Sequence, residues 1–138
     1  MKAVKISMNE AKTSKQLKAV IAGTLINALI TLTATIVLTL FMSIAGNLFE
    51  DFAKYLMLLP LVLGGYIGGF ISARINGANG LLLGVISGAA ILIILLIIGF
   101  TVYNTDITYM ILLKVLCVLL PAAMGGVKGV NKKEKFKI

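Results

Sequence analysis

The sequence predicts an all-α integral membrane protein, a four-helix bundle built from two duplicated transmembrane hairpins. Three observations carry that expectation. The 138-residue chain is 59% hydrophobic with only 13% charged residues, and its mean hydropathy of +1.05 lies well beyond that of a water-soluble domain. Its charges are segregated: Ala19 to Phe49, Tyr55 to Ala73 and Ile75 to Thr105 carry none, and Ile107 to Val127 carries only Lys114. Finally, one phrase occurs twice, Leu58-Leu59-Pro60-x-x-x-Gly64-Gly65-x-x-Gly68 returning as Leu119-Leu120-Pro121-x-x-x-Gly125-Gly126-x-x-Gly129.

A bilayer core of about 30 Å takes about 20 residues of helix. The uncharged stretches therefore give spans over 19–46, 53–73, 80–103 and 107–129, within a membrane domain of residues 19–130. Continuous apolarity argues against strands, which would alternate, and lipid cannot satisfy a bare backbone, so the spans are helical. Residues 1–18 form a basic segment before the first span and residues 131–138 a basic tail after the last. Ser43-x-Ala45 has the form of a signal cleavage site, but the apolar stretch before it far exceeds the 7–15 residues of a signal peptide. Span one is therefore expected to stay.

The net charge of +8 is explained by topology. Lys2, Lys5, Lys12, Lys15 and Lys18 precede span one, Lys128, Lys132, Lys133, Lys135 and Lys137 cluster at the other end, and Glu50, Asp51 and Asp106 lie in the first and third connections. The positive-inside rule then places both termini and the short Arg74 connection in the cytoplasm, in a multi-pass protein of the cell (inner) membrane. The basic ends should associate with anionic lipid headgroups. No nucleic-acid partner is expected.

The repeat offset of 61 residues, the separation of Pro60 from Pro121, also carries Gly23 onto Gly84. A longer helix followed by a shorter one, twice over, fits duplicated hairpins of like orientation. Within each copy proline withdraws a backbone donor from the carbonyl of Leu56 or Cys117, so Pro60 and Pro121 are expected to bend their helices. The glycines that follow remove side-chain bulk. Gly64-x-x-x-Gly68, Gly65-x-x-x-Gly69, Gly80-x-x-x-Gly84-x-x-x-Gly88 and Gly125-x-x-x-Gly129 keep the spacing that lines one helix face, and Gly23 and Gly126 join them as packing positions. Gly84→Leu should accordingly disrupt packing far more than Gly46→Leu. Asn76-Gly77-Ala78-Asn79-Gly80 is a turn closing spans two and three.

Candidate chemistry is sparse. Asn27, Thr31, Thr35, Thr39 and Ser43 recur every four residues in span one. They would serve as a permeation face, or else as hydroxyls bonded one turn back with Asn27 reaching a neighbouring helix. Lys114 interrupts span four; it either serves a polar pathway with Asn27, Thr31 and Thr35, or snorkels outward toward Glu50, Asp51 or Asp106. Cys117 reads as a small buried hydrophobe. The sequence has no histidine, and nothing in it makes a catalytic set, a metal site or a cofactor site. Gly64-Gly65-x-x-Gly68-Gly69 lies inside an apolar span and so is no phosphate loop.

The run Gly64-Gly65-Tyr66-Ile67-Gly68-Gly69-Phe70-Ile71-Ser72-Ala73-Arg74, the segment Asn79 to Gly88 and the stretch Gly125 to Asn131 resemble a family of small uncharacterised four-span membrane proteins of Firmicutes, glycine-rich hairpin proteins of unknown function. In some bacilli a member is encoded near genes for auxiliary protein-translocation subunits. The resemblance implies a compartment and a topology, and carries no catalytic residue. The expected role is an interaction or accessory subunit that docks other membrane helices, in a partner protein or a second copy, through its glycine faces. The alternative is a small oligomeric channel or transporter with the Thr/Asn line of span one facing the pathway.

Overall fold

The computed structural model describes residues 1–46, 50–103 and 109–134 and is helical in them apart from Met1 and the turns at 57–58 and 77–79. Five helices follow one another among these residues: α1 (Lys2–Ala45), α2 (Glu50–Leu56), α3 (Leu59–Asn76), α4 (Gly80–Tyr103) and α5 (Tyr109–Glu134). Four stretches are long and apolar enough to cross a membrane, in α1, in α2 and α3 together, in α4 and in α5.

Helix α1 does not break at residue 18; its 44 residues make a rod about 66 Å long. No glycine or proline interrupts it before Gly23, so the basic segment simply continues the helix. Gly46 ends it with φ 63° and ψ −153°, a conformation that a side chain would strain.

The two proline copies fold differently, and at Pro60 the chain breaks between two helices where a bend was expected. Ahead of Pro60 the helix has already ended: Met57 N–H donates to the Ala53 carbonyl and Leu58 N–H to the Tyr55 carbonyl, both at 3.0 Å, the second closing a tighter turn. Pro60 then sits in the first turn of α3, where a missing N–H costs nothing. Pro121 lies inside α5, which runs on through it. Lipid-facing helices tolerate such interruptions where neighbours compensate.

Between α3 and α4 the turn forms as the sequence predicts. Gly77 adopts a left-handed cap with its N–H donating to the Ala73 carbonyl, Asn76 Nδ2 donates to the Ala78 carbonyl at 2.9 Å, and Asn79 takes φ 52°, tolerable for asparagine.

Helices α3 and α4 form the middle of the bundle, each packing on both α1 and α5. Large aliphatic side chains meet at mid-height, where Ile91, Leu92 and Val118 are buried against Ala28, Leu61, Val115 and Leu119. Burial then continues toward the end of the bundle that holds Ala19, Ala73 and Gly129, and thins toward the other, where Val37, Leu40, Phe41 and Ile44 of α1 are exposed.

Candidate functional site

Three glycine seams join the helices. Between α1 and α3, a methyl group at Gly23 would lie 2.5 Å from Ser72 Cβ, one at Gly68 would lie 2.5 Å from Asn27 Cβ, and one at Gly64 would overlap the Asn27 and Thr31 side chains. Between α3 and α5, Gly65 and Gly69 face the carbonyls of Val118 and Ala122, while Gly125 and Gly129 face those of Tyr66 and Phe70. Between α4 and α5, Gly80 and Gly126 face each other's carbonyls, Gly84 faces that of Ala122, and Gly88 meets the Ala122 methyl.

These pairings run in opposite directions for α1 with α3 and for α4 with α5, and in the same direction for α3 with α5. In most of them a bare Cα points at a carbonyl of the facing helix, the arrangement of Cα–H···O contacts, each contributing about 0.5–1 kcal/mol. All eleven candidate packing glycines thus lie against helices of their own chain. A carbon added at Gly46 or Gly99 would meet nothing of another helix within 4 Å among the described residues.

Sequence reasoning missed Ala122 and Ser72. Ala122 is fully buried and is where α3, α4 and α5 come together, its carbonyl facing both Gly69 and Gly84. The signal was present: Ala122-x-x-x-Gly126 and Gly68-x-x-x-Ser72 continue the four-residue spacing with slightly larger residues.

Asn27 is 1% exposed and Ser72 is 0% exposed, both on the α1–α3 seam. Thr31 Oγ1 donates to Asn27 Oδ1 at 3.1 Å; Asn27 Nδ2 and Ser72 Oγ have no hydrogen-bond partner among the described residues. Asn27 therefore bonds within α1 and not to a neighbouring helix, contrary to the expectation above. The bare faces of Gly64 and Gly68 let α3 close down on the Asn27 side chain, against its Oδ1 and its Cβ and Cγ.

Thr31 and Thr35 line a groove of about 510 Å³ between α1 and α4, with Thr39 above them and Ile91, Ile94 and Ile98 opposite. Its hydroxyls are turned inward: Thr35 donates to the Thr31 carbonyl at 2.7 Å and Thr39 to the Thr35 carbonyl at 2.8 Å. The groove wall is consequently hydrocarbon.

Lys114 lies elsewhere, in the wall of a cavity of about 280 Å³ among α3, α4 and α5. Leu95 and Ile98 line both spaces, so Lys114 and the threonine line do not form one polar route. Of its expected partners, Asp106 lies outside the described residues, as does the Glu50 side chain. At the opposite end Lys128 Nζ sits 5.6 Å from the centre of the Tyr66 ring, and the Arg74 guanidinium is 5.8 Å from that of Phe70, within cation–π range.

No curated protein and no solved structure matches the chain. Residues 16–129, spanning the glycine seams, both prolines and Lys114, match the family described as "Protein of unknown function (DUF3792)". With its four apolar helices and most of its length inside that match, the chain belongs to the DUF3792 family.

Proposed function

We propose that this protein is a non-enzymatic accessory subunit of the cell membrane, with both basic termini in the cytoplasm, that presents its first helix to a membrane-protein partner. The observation that carries the reading is the internal use of every candidate packing glycine. Those faces hold α1, α3, α4 and α5 together and are spent within the chain. Docking then falls to faces the seams leave uncovered, of which the outer part of α1 is the barest: none of its most apolar stretch is buried, against 22–39% of the other three, and Val37, Leu40, Phe41 and Ile44 are all more than half exposed.

Orientation rests on charge. Lys5, Lys12, Lys15 and Lys18 stand at one end of the bundle with Arg74, Lys128 and Lys132 against Glu10, whereas Asp51 and Lys54 balance at the other, an excess of Lys and Arg of the kind expected at a cytoplasmic face. The basic end suits the anionic lipid surface there. The channel reading is weaker, because its hydroxyls bond to their own helix and its groove is walled by isoleucines.

Photo-crosslinkers placed at Val37 and Phe41 in cells test the proposal. A discrete adduct with one membrane protein, not formed from Leu120 on α5, supports it. Adducts only with a second copy of the chain, or equal adducts from all three positions, overturn it.

A further inference from the structure

We infer that the cavity containing Lys114 is a binding site for an anionic phospholipid, with one acyl chain in the slot and the phosphate against the Lys114 ammonium. The site is separate from the docking surface above and rests only on the helices lying in a bilayer. Its wall is hydrocarbon, contributed by Leu61, Leu92, Leu96, Phe100 and Ile111, with Lys114 its one charged residue among the described residues. Gly99 also lines it, and a side-chain carbon there would meet nothing within 4 Å. Leu95, Phe100 and Lys114 are exposed, so the cavity opens to the outer surface of the bundle.

Volume and depth select the occupant. About 280 Å³ is at the small end of ligand pockets; it accepts one alkyl chain and excludes a bulky solute. A dry slot forfeits dispersion contacts along its wall, and acyl chains surround the bundle on every side. Lys114 follows Tyr109, the exposed first residue of α5, by five positions, a rise of about 7.5 Å. Tyrosines of this kind mark headgroup level. Side chains on a helix lean toward its N-terminus, so the Lys114 stem rises along α5 and brings its ammonium to the level of the phosphates. The slot beneath points into the hydrocarbon. An anion above and a chain below therefore match the cavity in both charge and polarity.

The test uses the full chain in nanodiscs containing phosphatidylglycerol and phosphatidylcholine with identical chains, one of the two carrying a photoreactive group on its acyl chain. Adducts on peptides covering 92–100 and 111–115 are counted by mass spectrometry. The phosphatidylglycerol probe should label these walls about fivefold more than the phosphatidylcholine probe, the preference expected of one lysine near headgroups. Lys114→Met should remove the preference while leaving phosphatidylcholine labelling in place. Gly99→Leu, which has room for its side chain, should lower labelling by both. Equal labelling of the wild type by the two probes, or a preference that survives Lys114→Met, overturns the inference. Neither result touches the partner reading, which is decided by crosslinks from α1.

Discussion

The packing argument is sharpest at Gly84. A methyl group there would press on the Ala122 carbonyl, with the Ala122 carbonyl carbon and Gly126 Cα each 3.1 Å away. All of these are backbone atoms or bare Cα atoms of α5, so none can rotate aside, and the two helices must separate by a few tenths of an ångström or more. Overpacking of this kind costs about 1–3 kcal/mol, and widening the seam also weakens the Cα–H···O contacts at Gly80 and Gly126. Gly99→Ala is the matched control, since its added carbon meets nothing within 4 Å and alanine favours a helix over glycine by about 1 kcal/mol. Gly46 is a poor control despite its open surroundings, because its φ of 63° strains any side chain. Both positions lie inside α4 and share that gain, so the two variants should differ by the overpacking cost alone, about 1–3 kcal/mol. Cys117 is the single cysteine and is partly covered within α5, so its reaction with a thiol-activated dye during heating or detergent titration reports bundle opening. Equal unfolding midpoints for Gly84→Ala and Gly99→Ala would refute the close-seam account.

Ser72→Ala should be neutral or stabilising by up to about 1 kcal/mol, because the buried Ser72 hydroxyl has no partner to lose; a clear loss in the same thiol assay would show that it is satisfied. Gly23→Ala should destabilise and be partly rescued by Ser72→Gly, since its added carbon lies 2.5 Å from Ser72 Cβ; a double-mutant cycle with no coupling would place the two residues apart. Pro121→Ala should raise the unfolding midpoint by returning an interior donor to α5, with Pro60→Ala much nearer neutral; equal effects would contradict their different places. Removing residues 2–15, all exposed, should leave the midpoint unchanged, and a lowered midpoint would reveal packing of that arm.

The element order and the small-residue face were legible because lipid imposes them locally. Charge-free runs of sufficient length, a glycine-asparagine turn and four-residue glycine spacing each act within one or two helical turns. The partner of each face was not legible. Gly64 and Gly65 are adjacent in sequence, yet the first faces α1 and the second α5, a division that follows from their 100° separation around the helix and needs the neighbours' positions to read. The same limit hid Ala122, whose importance comes from two helices converging on one carbonyl. The orphaned amide of Asn27 was equally out of reach, because it depends on how far a neighbouring glycine backbone intrudes.

The repeated phrase yields two different local structures, and this separates the roles of its parts. In both copies the glycines come to a close helix crossing, so that part of the phrase acts through packing whatever precedes it. The proline does not: after Met57 and Leu58 it opens a helix, whereas after Leu119 and Leu120 it is carried inside one. The residues upstream account for the difference. Asp51 and Lys54 lie within α2 at the edge of the apolar stretch, where a turn has water to satisfy its free groups, whereas Tyr109 to Leu120 of α5 hold the single charge of Lys114 and have lipid on their exposed side. In lipid, breaking α5 would leave several backbone groups bare, at more cost than the one hydrogen bond that Pro121 removes. Helix continuity in this fold is therefore set by the depth at which the proline falls, and the copy that kept its helix intact is also the one with a lysine beside an open apolar slot.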